Sequence, residues 1–122
     1  MHLIRVAERR HSPNEEASGT VRLERLLDAQ QPDGARLALV HFHDGAVTHW
    51  HTHPGEQILL VVSGVCRYGN AHGIQGEAHP GDTIYVAPGE KHWHGAARGH
   101  DMSHLSVTTV GPPVWLEPYE GA

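Results

Sequence analysis

The chain has 122 residues and a mass of 13.4 kDa, enough for one domain with one core and one site. Nine Lys and Arg against 14 Asp and Glu give a formal charge of -5, which excludes a basic nucleic-acid footprint. No run approaches the ~20 apolar residues of a membrane-spanning helix, and the single cysteine, Cys66, excludes an intrachain disulfide and a cysteine-based zinc site.

Residues 1–19 are polar, with a Pro, a Gly and mixed charges. They read as an N-terminal arm with one short edge strand at residues 3–6. The opening MHLIRVAERRHSPNEE lacks an apolar h-region, so no secretory signal is expected and the protein is expected in the cytoplasm. TVRLERLL at residues 20–27 alternates apolar and charged, the pattern of a half-exposed strand. AQQPDG at 29–34 is a turn cluster. In residues 35–43, Ala38, Val40 and Phe42 share one face of a strand; Leu37, Leu39, His41 and His43 share the other. The small apolar set is expected inside, shaping a pocket. Asp44-Gly45 is a hairpin signal.

Further strands are expected at 48–53, 57–63, 65–69, 83–87, 92–97 and 102–110, separated by Pro and Gly turns, with a hairpin over residues 70–78. Residues 112–122 form a proline-rich tail expected to pack on a barrel spanning 20–111. No window shows helical periodicity. Short strands at near-regular spacing point to an all-β sandwich or barrel.

Thirteen histidines are the compositional outlier. Imidazole is the commonest metal ligand and titrates near neutral pH. On a strand, i and i+2 point the same way, so His51 and His53 project together, roughly 6–7 Å apart at their Cα atoms. His92 and His94 repeat that pattern, and Trp50 and Trp93 take the opposite face. Two such pairs brought together in a barrel present up to four imidazoles to one point. His49 shares the parity of His51 and either lines the cavity mouth or is turned out by a bend. His2, His11, His72, His79 and His100 read as surface loop residues.

The wider spacing resembles the cupin superfamily. Gly45, then His51-Thr52-His53, Gln57 and Gly64 follow its first motif; Gly81-Asp82, Gly89 and His92 follow its second. Three positions depart from it: Gln57 stands where Glu is usual, Ala87 where Pro is usual, and Ala96 where Asn is usual. An amide is a neutral ligand, so an ion held by three imidazoles and Gln57 would keep its full charge. It should polarise a bound oxygen strongly and tolerate an anionic ligand. Glu56 competes with Gln57 for the ligand position; strand parity and the family spacing favour Gln57.

HTHPGEQILLVVSG, PGEKHWHGAA and MSHLSV resemble small single-domain cupins, including manganese-dependent hydroxynitrile lyases and cupins associated with carboxymuconolactone decarboxylase-like proteins. Trp115, Glu117 and Tyr119 echo a Trp-x-Glu pattern of that group. The resemblance implies an antiparallel cupin β-barrel, a double-stranded β-helix or jelly roll. It implies one divalent ion on His51, His53, Gln57 and His92, with manganese first and zinc, iron, nickel or cobalt as alternatives. His94 lies close to the ion as ligand, acid–base group or second-layer partner, and His104 lies near the substrate. Ala38, Val40, Phe42 and His49 are the expected substrate pocket. The implied function is a metal-dependent lyase acting on a small organic substrate, with His94 and His104 as its catalytic pair. Its alternatives are a metal-dependent dioxygenase, a polyketide cyclase and a non-enzymatic ligand-binding cupin. A homodimer covering the apolar outer sheet face is expected.

Overall fold

Period-two alternation carries the architecture. In the computed structural model, which describes residues 1–122, the backbone folds into thirteen strands and one 3₁₀ turn at Val6–Glu8. The strands are β1 (Arg10–Pro13), β2 (Ala17–Ser18), β3 (Val21–Leu27), β4 (Arg36–Phe42), β5 (Val47–Thr48), β6 (His51–Thr52) and β7 (Gln57–Gly64). They continue as β8 (Cys66–Asn70), β9 (Gln75–Ala78), β10 (Thr83–Val86), β11 (His92–Ala96), β12 (Met102–Thr108) and β13 (Val114–Trp115). One sheet runs β1-β3-β4-β12-β7-β10, and the other runs β13-β6-β11-β5-β2 with β8 and β9 added beside β11. All pairings are antiparallel. The result is the all-β barrel that the strand pattern predicts.

Three local expectations are corrected. Residues 3–5 are irregular and Val6 opens the 3₁₀ turn, and the edge strand forms instead at β1, whose partner β3 supplies backbone bonds and whose flanking Arg9 meets Glu24. Leu3 and Val6 stay exposed. Asp44-Gly45 makes a turn but not a hairpin: it carries the chain from β4 in one sheet to β5 in the other. The run at 48–53 is two strands, broken at His49 and Trp50.

The apolar core gathers Val21, Phe42, Val61, Cys66, Ala96 and Met102 on the inner faces of both sheets. Burial pushes the Cys66 thiol up to about 12, so it stays a protonated core filler. Gly64 ends β7 at φ +77°, and a Cβ there would sit 1.9 Å from the Asp101 carbonyl oxygen. Gly95, between His94 and Ala96, lets β11 approach β5: a Cβ would fall 2.3 Å from the Ala46 oxygen. The close approach holds the histidine-bearing strand against the barrel wall.

Candidate metal centre

The cross-strand rows of the six-stranded sheet place one set of inward side chains after another. Phe42 pairs Met102; Val40 pairs His104, which pairs Val61; Ala38 pairs Ser106, which pairs Leu59; Arg36 pairs Thr108, which pairs Gln57. The interior therefore passes from apolar to polar along the barrel. At its polar end β6 and β11 pair His51 with His92.

His51, His53 and His92 are buried, and their ligand atoms lie within 4.8 Å of one another. Two backbone carbonyls fix two tautomers. His51 Nδ1–H donates to the His49 oxygen at 2.9 Å, and His92 Nδ1–H donates to the Glu90 oxygen at 2.8 Å. Each Nε2 is left with a lone pair, the arrangement that orients imidazole for a metal. Both ring nitrogens of buried His53 lack any partner. Gln57 Nε2 donates to Ser106 Oγ at 3.0 Å, which aims Oε1 at His92 Nε2, 2.9 Å away. With the His92 proton on Nδ1, two acceptors face each other there. Such a contact repels unless a cation lies against both.

Electrostatics agree. Burial, then the neighbouring His92, pushes His51 well below its ordinary pKa, and burial followed by His92 lowers His53 to about 4. Burial also lowers His92. All three are neutral bases at pH 7, as metal ligation requires. Three free imidazoles and one amide oxygen have the chemistry to hold a divalent cation.

His94 and His104 form a second pair. His94 Nδ1 and His104 Nε2 are 3.1 Å apart; His94 Nε2 and His104 Nδ1 have no partner. Burial depresses both, His94 well below its ordinary value and His104 to about 4. The Phe42 ring packs against both imidazoles, with centroids 5.9 and 5.2 Å away.

A cavity of about 90 Å³ opens beside the cluster, and Ala38, Val40, His51, His53, Gln57 and His94 line it. His104 reaches it only through His94, and Phe42 lies behind the two imidazoles. His49 is not brought in: the break after β5 turns its ring to Glu16, 3.3 Å away. Glu56 faces outward and takes a hydrogen bond from the Tyr85 hydroxyl at 2.5 Å, so Gln57 alone of the two points inward. The sequence reading missed Arg25, Arg36, Ser106 and Thr108, which also line the cavity. Strand parity was the available signal: Ser106 and Thr108 share the face of His104, and Arg36 shares the face of Ala38.

The tail closes one side. β13 pairs with β6, and the Trp115 ring lies 4.5 Å from the His51 ring. Tyr119 stacks on Trp93 at 3.9 Å and meets Trp50 edge-on at 6.0 Å. Trp50 and Trp93 thus face away from the histidine cluster and anchor the tail.

Fold and site together define a β-barrel with a three-histidine cluster suited to a metal ion. The Cupin domain family model matches residues 38–108, and the chain belongs to this family. It is 46% identical over 90 residues to the (R)-mandelonitrile lyase of Granulicella tundricola, covering 74% of this chain and 69% of that one. A cupin-like protein from Thermotoga maritima superposes with TM-score 0.80 at 33% identity, over 86% of this chain and 83% of that one. The polyketide cyclase RemF from Streptomyces resistomycificus superposes with TM-score 0.78 at 19% identity, over 98% and 88% of the two chains, and shares the fold.

Proposed function

We propose that the chain is a metal-dependent lyase that cleaves a carbon–carbon bond next to a hydroxyl group, with His51, His53, Gln57 and His92 holding manganese. The observation that carries this reading is the adjacency of a neutral four-donor cluster and a buried imidazole pair in a chain 46% identical to a mandelonitrile lyase. The ion supplies Lewis acidity towards a substrate oxygen.

The chain's own residues handle the proton. When His94 Nδ1–H donates to His104 Nε2, His94 Nε2 offers a lone pair to the cavity; with the direction reversed it offers an N–H. In a cyanohydrin, the hydroxyl proton passes to His94 Nε2. The C–C electron pair leaves with cyanide, the carbonyl forms, and the same proton is returned to cyanide. Burial lowers both imidazoles, so the pair rests neutral and is free to accept the proton. Ala38 and Val40 give the substrate's carbon skeleton an apolar wall.

The outer face of the six-stranded sheet suits a second copy of the chain. Leu39, Leu105 and Leu60 form one outward row, and Leu37, Val107, Ile58 and Tyr85 the next. A homodimer would cover them. The single buried thiol suits a reducing compartment such as the cytoplasm.

The test is cyanide release from (R)-mandelonitrile by chain loaded with manganese and by chain stripped with chelator. Release that requires the metal supports the lyase reading. Inactivity of loaded chain across aliphatic and aromatic cyanohydrins overturns the cyanohydrin as substrate.

A further inference from the structure

The only charged side chains lining the metal-site cavity are two arginines. Arg36 stands on the inner face of β4, in the same cross-strand row as Thr108 and Gln57. Two strand spacings, about 10 Å, separate its Cα from that of Gln57. Arg25 stands in the next row, paired with Ala38, which pairs with Ser106. A bulge between Arg25 and Leu27 resets the strand's parity just past it. Bulges of this kind re-aim side chains beside active sites.

Both arginines are half-buried, and neither is neutralised in the cavity. The Arg36 side chain makes no hydrogen bond or ion pair with the protein, although its backbone is paired in β4. Arg25 has a single long contact, Nε to Asp28 Oδ1 at 3.9 Å, and the other Asp28 oxygen is engaged by Arg10. A guanidinium carries five N–H donors in a planar fork matched to a carboxylate. Other arginines of the chain show what a structural role looks like: Arg67 donates to the carbonyls of Ala96, Gly121 and Gly45. Burial, then the Arg36 charge, holds the Arg25 guanidinium below its ordinary pKa, so an anion between the two would relieve a repulsion. No carboxylate lines the cavity and the proposed metal ligands are all neutral, so apart from Asp28, which touches Arg25 from outside the cavity, the protein supplies no such anion.

We propose that the substrate of this site is a small carboxylate that also carries a hydroxyl or carbonyl oxygen, with Arg25 and Arg36 binding the carboxylate while that oxygen faces the histidine cluster. The proposal rests on the cavity being the substrate site of the lyase described above and names the substrate class. The arginines decide which small molecule enters. A neutral cyanohydrin uses the same proton-transfer pair without the anion contact.

The probes are lactate and methyl lactate, which differ in charge and share the hydroxyl. Binding to the full chain is followed by ligand-observed NMR titration, with manganese supplied and after chelator treatment. Lactate is expected to bind about tenfold or more tightly than its ester in both states, the measure of one charge-assisted hydrogen bond. The preference should vanish in the Arg25→Gln/Arg36→Gln variant and persist in Arg25→Lys/Arg36→Lys. If the double glutamine variant does not fold, each single variant should lose part of the preference. Equal binding of acid and ester overturns the proposal, as does a preference that survives loss of both arginines. A chain that takes up no metal yet shows the arginine-dependent preference overturns the lyase reading and leaves this one. A metal-loaded, active lyase without that preference does the reverse.

Discussion

The two ends of the barrel interior are built on the same strands and do different work. Along β12 the inward side chains run Met102, His104, Ser106 and Thr108; along β4 they run Phe42, Val40, Ala38 and Arg36. At the Met102 end the side chains fill space. At the Thr108 end they leave a cavity rimmed by donors and acceptors. The hydrogen-bonded ladder is common to both, so the backbone does not choose between stability and chemistry. Residue type in each cross-strand row makes that choice, and His104 stands where the two regimes meet, fully buried against Phe42 on one side and His94 on the other.

Substitutions at the two ends should therefore separate. His94→Ala should lower turnover by about 10²–10⁴-fold, the usual contribution of a placed acid–base group, with metal content unchanged. Steady-state rates beside metal analysis check this. A loss of metal in that variant would make His94 a ligand instead. Met102→Ala, at the filled end, should cost about 3 kcal/mol of folding stability through cavity formation. It should leave metal per chain unaltered, as urea unfolding and mass spectrometry would read.

The boundary residue links both ends to pH. The folded chain holds His104 at about 4 against an ordinary 6.5. The unfolded chain thus binds this proton first as pH falls, so the stability of metal-free protein is full above pH 6.5. It declines as pH drops from there towards 4, on the order of 3 kcal/mol for that one group. Urea midpoints across that window should fall with acid; a flat profile would contradict the burial of a neutral imidazole there. The smallest effect is expected at Ser106→Ala, which frees the Gln57 amide to rotate and should weaken metal affinity by about tenfold. Competition with a calibrated chelator would measure it.

Much of this was legible in the sequence because strand parity is a strict rule. The His51–His53 and His92–His94 spacings place imidazoles on common faces, and Ala38 and Val40 fall on the cavity wall, as the alternation requires. Parity failed where strands break. His49 shares the parity of His51 on paper, but the interruption after Thr48 turns it to Glu16. Asp44-Gly45 has the chemistry of a tight turn, yet sheet membership on either side is set by distant pairings that local sequence does not encode. Arg25 and Arg36 escaped notice because charge in a strand reads as solvent-facing, although their parity matches that of Leu23 and Ala38. The four-donor geometry was also out of reach: the tautomers of His51 and His92 depend on the carbonyls of His49 and Glu90.

The central claim is that the polar end of the barrel holds one divalent ion on His51, His53, His92 and Gln57. Metal per chain, measured by mass spectrometry on tag-free protein beside His51→Ala and His53→Ala, tests it most directly. The account predicts close to one equivalent in the parent chain and near none in either variant, with all three folded. A folded parent chain that takes up no divalent metal after soaking, or variants that retain it, would contradict the account.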